Sequence, residues 1–374
     1  MTRLVERLRA WSRPPQWIRM LAVDAHTEGE PLRVVVSGFP VLDGDTVLQR
    51  RQDARRRHDG LRRALMWEPR GHADMYGCLV GPPVTRRADI SVLFTHNDGF
   101  STMCGHGIIG VVTVLLETGM LRPEETVAFA RGEPRAPKTG PDTESPDHGA
   151  SESVVVGIDT PAGFVEAPAV VEGSGVGAVS FLNVPSFVAR RGVSVDVPGA
   201  GAVAYDLAFG GAFYAYVAAQ EHGFRLTPSE APDLARLGRA IKEAVQTAAP
   251  PHHPDDADLG FVYGTIFVGE AHDPTHHSRN VCVFADGEVD RCPTGTGVSG
   301  RLALHHDAGE IATGEDIVIE SILGTCFSGR VEESVRLGDM DAVRPRVEGR
   351  AWITGVNELL VDPSDPLAEG FLLR

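Results

Sequence analysis

The chain contains the same glycine-rich pattern twice, and this internal repeat constrains its fold more than any other feature. The segment 94–110 aligns without gaps with the segment 284–300, and the match continues beyond both. The identical positions at this single offset are Phe94 and Phe284, Gly105 and Gly295, Gly107 and Gly297, Gly110 and Gly300, and Gly119 and Gly309. Chance supplies one or two such matches but not this series. The sequence therefore indicates a duplicated unit.

Other segments support the duplication, with insertions and deletions between them. The stretch 24–29 resembles 206–211, and 156–163 resembles 318–324. Each half reads as strands, a glycine-rich turn, an apolar helix and more strands. We therefore predict an α+β fold of two pseudo-symmetric, duplicated α/β domains that face each other across a cleft, with the repeated turns meeting at its centre.

The predicted domain boundaries follow from this repeat and from composition. An N-terminal tail covers 1–17, the first repeat domain covers 18–195, and the second covers 196–374, with its final strand free to pack on the first domain. Residues from about 132 to 153 lack apolar periodicity, so a mobile insertion is expected there. A chain of 374 residues is sufficient for two ordinary cores.

Composition and charge exclude several classes of partner. The net charge of −16 argues against nucleic acid and anionic membrane surfaces. No apolar run approaches the roughly 18 residues that span a bilayer. The five cysteines form an odd count without a CxxC pair, which is typical of a reducing cytoplasm and predicts neither a disulfide framework nor a zinc cluster. We expect a cytoplasmic protein, compatible with a homodimer, whose partner is a small molecule.

Each repeated turn precedes an apolar helix. Residues 108–118 are apolar almost throughout, which predicts a buried helix with Cys104 at its N-terminus. Unpaired backbone N–H groups and the positive end of the helix dipole attract anions there and lower the pKa of a cysteine. The second turn repeats the arrangement in front of 298–308. Two converging helix N-termini predict a carboxylate site without an arginine, with Cys104 on one wall and Thr294 on the other.

A free cysteine is usually a small buried apolar residue without chemistry. That interpretation holds for the cysteines in apolar strand-like runs, Cys78, Cys282 and Cys326. Cys104 differs because it begins a helix within a duplicated glycine-rich turn, so we interpret it as catalytic. For His26 and Glu30 we expect structural hydrogen bonds. The sequence lacks a Walker lysine loop, an HExxH motif and a two-cysteine metal spacing, so we expect no cofactor and no metal.

The two turns, Met103-Cys-Gly-His-Gly107 and Asp290-Arg-Cys-Pro-Thr-Gly-Thr-Gly297, resemble the active-site signatures of the proline racemase family. That family includes proline racemases, hydroxyproline 2-epimerases and hydroxyproline dehydratases. Further matching motifs cover 24–31, 68–77, 183–187 and 365–371. The resemblance covers nearly the whole chain apart from the tail and the insertion. It implies a diaminopimelate-epimerase-like fold with the active site between the two domains.

In that family two residues face opposite sides of the substrate α-carbon, and the resemblance places them at Cys104 and Thr294. Racemases and epimerases have cysteine at both positions, whereas threonine at the second is the pattern of the trans-3-hydroxy-L-proline dehydratases. The resemblance also implies that Asp290 accepts a hydrogen bond from the ring ammonium and that His106 contacts the ring hydroxyl. It further implies that the substrate carboxylate is bound by the backbone N–H groups of Gly105, His106, Gly295 and Thr296.

Two positions depart from the family pattern. Cys292 stands where serine is usual, and Leu359 stands where an aromatic residue is common. In the internal alignment Cys292 pairs with Thr102 rather than with the first catalytic position, so we interpret it as a serine substitute without a catalytic role. For the segment 70–74 we expect a role in ordering the wall of the cleft, with either His72 or Asp74 supporting the site residues.

Stereochemistry supports dehydration independently. In trans-3-hydroxy-L-proline the α-hydrogen and the hydroxyl lie on the same ring face, so one group on that face removes the proton and stands near the departing hydroxyl. Racemisation needs an acid on the opposite face, and a threonine hydroxyl titrates far from neutral pH. We predict a cofactor-free hydro-lyase that forms Δ1-pyrroline-2-carboxylate through Δ2-pyrroline-2-carboxylate, with the Cys104 thiolate as base. Two alternatives stay open: a proline racemase or 4-hydroxyproline 2-epimerase, and a non-catalytic imino-acid-binding protein.

Overall fold

The computed structural model describes residues 2–130, 152–173, 175–255 and 257–373. Nearly all of the insertion expected at about 132–153 lies outside these residues. The segment expected as an N-terminal tail begins with helix α1 (Thr2–Ala10), in which the side chains from Arg3 onward are exposed. None of the described helices is long and apolar enough to cross a membrane.

The first half of the chain alternates strands with helices. Its strands are β1 (Ile18–Thr27), β2 (Glu30–Ser37), β3 (Tyr76–Gly81), β4 (Ile90–His96), β5 (Glu152–Thr160), β6 (Gly163–Glu172) and β7 (Gly175–Leu182). Its helices after α1 are α2 (Val47–Arg57), α3 (Asp59–Met66), α4 (Gly105–Glu117) and α5 (Val127–Ala130). Helix α2 begins where the Thr46 hydroxyl accepts a hydrogen bond from the Gln49 N–H, a capping box that fixes its first turn.

The second half contains the same kinds of element in a similar order. Its strands are β8 (Phe187–Val197), β9 (Gly201–Phe209), β10 (Phe213–Ala218), β11 (Val262–Gly269), β12 (Ser278–Phe284), β13 (Glu288–Val289), β14 (Ile317–Glu320), β15 (Cys326–Leu337), β16 (Met340–Gly349) and β17 (Ala351–Val361). Its helices are α6 (Ala231–Ala248) and α7 (Gly295–Asp307). Helix α7 follows β12 and β13 as α4 follows β4.

Strand pairing repeats between the halves. One set of strands runs β17-β1-β2-β3-β4-β5-β6-β7, and the other runs β8-β9-β10-β11-β12-β14-β15-β16. The pairs β2–β3 and β4–β5 are parallel, and so are their counterparts β10–β11 and β12–β14, whereas the other pairs in both sets are antiparallel. This agreement in order and direction confirms the predicted duplication. An antiparallel pairing of β7 with β16 joins the two sets into one large sheet.

The pairing bears on the boundary between the halves. The expected boundary at 195/196 falls inside β8, which pairs with β9 from Phe187 to Val197. The last strand, β17, pairs with β1 along its length, so it lies with the first half. We therefore propose a boundary between β7 and β8, with β17 returning to complete the first unit.

Helices α4 and α7 form the centre of the molecule. Residues Gly105–Leu115 of α4 and Gly295–Leu304 of α7 are all buried, as their apolar sequences predict. Strands β1, β7 and β17 pack against α4, and strands β8, β9, β15 and β16 pack against α7. Each fully buried Val, Ile or Leu side chain stabilises this arrangement by roughly 1.5–3 kcal/mol. The two helices contact each other, which positions the site.

Candidate active site

The first turns of α4 and α7 meet between the two halves. A Cβ atom added to Gly105 would lie 2.6 Å from the Cα of Gly295 and 2.8 Å from the Cζ of Phe181. One added to Gly295 would lie 2.8 Å from the Cα of Gly105. Side chains cannot approach backbone this closely, so both positions require glycine. Their small size lets the two helix N-termini converge and directs unpaired backbone N–H groups toward one pocket.

A small pocket lies where the helix starts meet. Its lining includes every residue predicted for the site, namely Cys104, Gly105, His106, Asp290, Thr294, Gly295 and Thr296. The rest of the lining is apolar or aromatic and consists of Tyr76, Met103, Tyr263, Cys282 and Phe284. The structure thus brings the predicted side chains of both halves to one place.

Cys104 is the N-cap residue of α4. Its backbone is extended, with φ −148° and ψ 113°, and its sulfur accepts a hydrogen bond from the Gly107 N–H at 3.2 Å. The Nδ1 atom of His106 lies 3.1 Å from the same sulfur. Burial lowers the pKa of His106 to about 4, so its imidazole is neutral near pH 7. The thiol therefore has a neutral ring nitrogen and a helix N–H as its polar neighbours.

The pKa of the Cys104 thiol shifts in the direction opposite to the one predicted from the sequence. Burial raises it well above its usual value of 9.0, hydrogen bonds from Tyr76 and the Gly107 N–H lower it by less, and the carboxylates of Asp290 and Glu30 raise it further. The prediction considered only the helix N-terminus, whereas the tertiary structure adds desolvation and two nearby negative charges. Neutralising those charges would favour the thiolate.

Thr294 occupies the corresponding place at the start of α7. Its φ of +66° is unusual for a β-branched residue. Its hydroxyl donates to Asp290 Oδ2 at 2.6 Å, and its N–H donates to the Cys292 sulfur at 3.4 Å. The Cys292 N–H in turn donates to Asp290 Oδ1 at 2.8 Å. These bonds close the second turn on itself and give Cys292 a structural contact.

Charged residues link the second turn to the first half. Glu30 Oε2 accepts a hydrogen bond from the Arg291 N–H at 2.7 Å, and the Arg291 guanidinium lies 3.2 Å from Asp74 Oδ2. Burial raises the pKa of Glu30 well above 4.5, and the Asp290 carboxylate acts in the same direction. The contacts of Glu30 and Asp74 agree with the structural roles expected for them. His72 differs, because its side chain is exposed.

One group of side chains among the described residues could hold a metal ion. Ligand atoms of His106, Asp290 and Cys292 lie within 4.8 Å of one another. However, the Asp290 carboxylate and the Cys292 sulfur already accept hydrogen bonds within the second turn. These side chains fit a closed turn better than a metal centre.

The sequence analysis missed the aromatic wall of the pocket. The Tyr76 hydroxyl lies 2.8 Å from Ser101 Oγ and 3.5 Å from the Tyr263 hydroxyl. The Tyr263 ring stacks on Phe284 with a centroid distance of 5.6 Å. A signal was present, because Tyr76-Gly77 and Tyr263-Gly264 are the same dipeptide at the starts of corresponding strands, β3 and β11.

Comparison with known proteins shows the family. The family model described as proline racemase matches residues 22–131 and 148–372. The chain belongs to the proline racemase family. The trans-3-hydroxy-L-proline dehydratase of Colwellia psychrerythraea is 43% identical over 358 residues, which cover 96% of this chain and 94% of that protein. The 3-hydroxyproline 2-epimerase of Burkholderia multivorans is 43% identical over 352 residues, which cover 94% of this chain and 97% of that protein.

The fold agrees with a solved structure of the same family. A hydroxyproline epimerase from Agrobacterium vitis, with bound trans-4-hydroxy-L-proline, superposes with a TM-score of 0.83 at 30% identity and covers 95% of this chain and 96% of that one. These findings confirm the resemblance drawn from the motifs. Because a dehydratase and an epimerase are equally similar to this chain, overall similarity does not separate elimination from epimerisation. The two reactions have to be distinguished by the chemistry of the pocket.

Proposed function

We propose that this protein dehydrates trans-3-hydroxy-L-proline to Δ1-pyrroline-2-carboxylate, through Δ2-pyrroline-2-carboxylate and without a cofactor. The proposal rests on the chemical difference between the residues that begin the two helices. Cys104 brings a thiol to the pocket, whereas the Thr294 hydroxyl donates to Asp290 at 2.6 Å. Elimination needs only one residue that exchanges protons with the α-carbon. Relatives named trans-3-hydroxy-L-proline dehydratase at 43% and 44% identity support this choice.

The substrate carboxylate fits the converging helix starts. Backbone N–H groups there carry partial positive charge and hold an anion without a cationic side chain. The residues that supply them are Gly105, His106, Gly295 and Thr296. Asp290 is only 3% exposed and accepts a hydrogen bond from the ring ammonium, an ion pair strengthened by the surrounding apolar side chains.

Substrate binding also activates the base. Asp290 raises the pKa of the Cys104 thiol, so a ring ammonium that neutralises this carboxylate lowers the thiol pKa again. The thiolate then forms when a substrate is present to use it. Because the ammonium is required, the protein discriminates for imino and amino acids over simple hydroxy acids.

The Cys104 thiolate removes the α-proton, and the helix N-termini stabilise the negative charge that spreads onto the carboxylate. The electron pair at Cα forms the Cα–Cβ double bond as the 3-hydroxyl departs from the same ring face. The product is the enamine Δ2-pyrroline-2-carboxylate, which tautomerises to the Δ1 form. Inversion at Cα would need a second acid, and a threonine hydroxyl does not titrate near neutral pH.

The thiol of Cys292 does not restore a two-cysteine site. Its sulfur accepts from the Thr294 N–H, and Cys292 is absent from the described residues that line the pocket. Epimerisation at Cα nevertheless stands as the second candidate, because a relative of equal similarity is named 3-hydroxyproline 2-epimerase.

The experiment is to incubate the purified protein with trans-3-hydroxy-L-proline, without added cofactor or metal, and to follow pyrroline-2-carboxylate by NMR. Parallel samples of 3-hydroxyproline, 4-hydroxyproline and L-proline in heavy water report inversion by chiral chromatography. Formation of the pyrroline supports the proposal. Rapid inversion without pyrroline would assign the protein to the epimerases, and ligand binding without either product would make it a binding protein.

The proposed partner and location follow from general features. The partner is a small imino acid, since the net charge of −16 disfavours nucleic acid and anionic membranes. All five cysteines are free, and unpaired thiols persist in reducing compartments. We therefore place the protein in the cytoplasm.

A further inference from the structure

Tyr76 is a buried phenol beside the proposed base. It begins β3, is 2% exposed and lines the same pocket as Cys104 and His106. Its ring meets the His106 imidazole edge to face at a centroid distance of 4.6 Å. The Tyr76 phenol also acts to lower the pKa of the Cys104 thiol, against the larger effect of burial. The dehydration described above gives this residue no role.

Other hydroxyl groups hold the Tyr76 hydroxyl in place. Ser101 Oγ lies 2.8 Å away and the Tyr263 hydroxyl lies 3.5 Å away. Ser101 is 1% exposed, so this contact is shielded from water. When Ser101 donates to the phenol oxygen, the phenol proton is available to an acceptor in the pocket. Buried hydroxyl chains of this kind position protons and strengthen one another.

We infer that Tyr76 donates a proton to the departing 3-hydroxyl and recovers one from the Cys104 thiol in the same step. This inference rests on the proposed dehydration. The α-hydrogen and the hydroxyl lie on one ring face, so the wall that carries the Cys104 sulfur also faces the leaving group. Tyr76 lines the same pocket as that sulfur and packs on His106, which places it near both the thiol and the leaving group.

Every bond and proton is accounted for in this relay. The Cys104 thiolate takes the α-proton and becomes a thiol. The electron pair left at Cα forms the Cα–Cβ double bond while the Cβ–O bond breaks. The leaving oxygen takes the Tyr76 proton and departs as water, and the phenol oxygen takes the thiol proton. Thiolate and phenol are both restored, and no external acid or cofactor is consumed.

The surroundings suit Tyr76 to this role better than His106. Burial raises the pKa of Tyr76 well above 10.0, so the phenol does not ionise by itself. It gives up its proton only as the thiol supplies another. Burial lowers the pKa of His106 to about 4, so that ring holds no extra proton at neutral pH. Its Nδ1 is also directed at the sulfur, 3.1 Å away.

The test compares leaving groups that do and do not need a proton. Trans-3-hydroxy-L-proline releases water, whereas trans-3-fluoro-L-proline releases fluoride without an acid. Both require the same α-proton removal by Cys104. The variant is Tyr76→Phe, and the matched control is Tyr205→Phe, which removes a buried phenol that does not line the pocket. Pyrroline-2-carboxylate formation is measured for both substrates with both variants.

We expect Tyr76→Phe to slow water elimination by about 10²-fold or more, the usual contribution of general acid catalysis, and to slow fluoride elimination far less. Tyr205→Phe should leave both rates near the wild-type values. Equal losses on the two substrates in Tyr76→Phe, or no loss, would overturn the inference. If the wild-type protein forms no pyrroline from either substrate, the proposed function fails instead, so the two failures are distinguishable.

A wild-type measurement covers the case in which Tyr76→Phe does not fold. Water elimination moves the phenol and thiol protons in its slow step, and both protons exchange with solvent. The ratio of the rate in water to that in heavy water should therefore be larger for the hydroxy substrate than for the fluoro substrate. Identical ratios would contradict the relay.

Discussion

The two glycine-rich turns share a sequence pattern and a place in the fold but differ in conformation. At the first, Cys104 has φ −148° and its sulfur accepts a hydrogen bond from its own helix at Gly107 N. At the second, Thr294 has φ +66° and its hydroxyl donates backward to Asp290. The duplication supplied two equivalent helix starts for one carboxylate. In the proposed mechanism, the difference in capping residue and backbone leaves proton transfer to only one of them.

The neighbours of the two turns differ in the same sense. The first turn faces Tyr76 and Ser101, whose hydroxyls can pass protons. In the second turn, the Asp290 carboxylate and the Cys292 sulfur each accept a hydrogen bond from a backbone N–H of the same turn. In the proposed mechanism, the first turn therefore supplies the reactive wall of the pocket and the second turn supplies a binding wall. Elimination from a single ring face matches this division.

The largest effect is expected when the two capping residues are changed in parallel, which tests whether they contribute unequally to catalysis. Cys104→Ser should reduce kcat/KM for dehydration by about 10²- to 10⁴-fold, because it removes the base. Thr294→Ser keeps a hydroxyl for Asp290 and should leave kcat near the parental value. Binding of L-proline, measured by calorimetry, should survive both changes. Comparable losses of kcat in the two variants would mean that both walls transfer protons.

Giving the second turn a thiol, as in the first, tests whether the missing thiol is what prevents inversion at the α-carbon. Thr294→Cys places a thiol on the second wall and removes the hydroxyl that donates to Asp290. We expect it to acquire inversion of trans-4-hydroxy-L-proline, detected by chiral chromatography, at a rate below the parental dehydration. Thr294→Ser serves as the control without a thiol. A folded Thr294→Cys protein that binds the substrate but never inverts it would contradict the account of the missing acid.

The contact between the turns gives a smaller and structural effect. Gly105→Ala forces a Cβ against the Gly295 backbone, and such overpacking costs about 1–3 kcal/mol of unfolding free energy. The melting temperature and the KM should both report the change. Gly99→Ala is the control, because a Cβ there meets nothing within 4 Å. An unchanged melting temperature and KM in Gly105→Ala would show that the helix starts have room to separate.

The smallest expected effect is a shift in the pH profile. The kcat/KM should rise as pH passes upward through the thiol pKa, since the thiolate is the active form. Glu30 raises that pKa, so Glu30→Gln should move the rising limb to lower pH. Glu28→Gln, a change in the same turn, is the control and should leave the limb in place. A limb that moves to higher pH in Glu30→Gln would contradict the assigned direction.

Much of the site was predictable because its chemistry lies in two short, repeated segments. Cys104 and Thr294 were placed by their position before apolar helices, and the structure puts both at the pocket. Tyr76 and Tyr263 were missed because their strands share only a dipeptide, and Phe284 was recognised as part of the repeat but not as part of the site. The sequence left open whether His72 or Asp74 supports the cleft wall, and in the structure Asp74 makes an ion pair with Arg291 while His72 is exposed. Sequence proximity does not decide which side chain turns inward.

The duplication, the helix starts and the two capping residues could be read from the sequence alone, because glycine spacing and apolar runs depend only on residues close together in the chain. Only the tertiary structure decided the electrostatics of Cys104. A helix N-terminus favours a thiolate, but burial and the carboxylates of Asp290 and Glu30, which come from other segments, raise the thiol pKa. Desolvation and Coulomb interactions depend on distances between segments remote in the chain, and folding alone sets those distances.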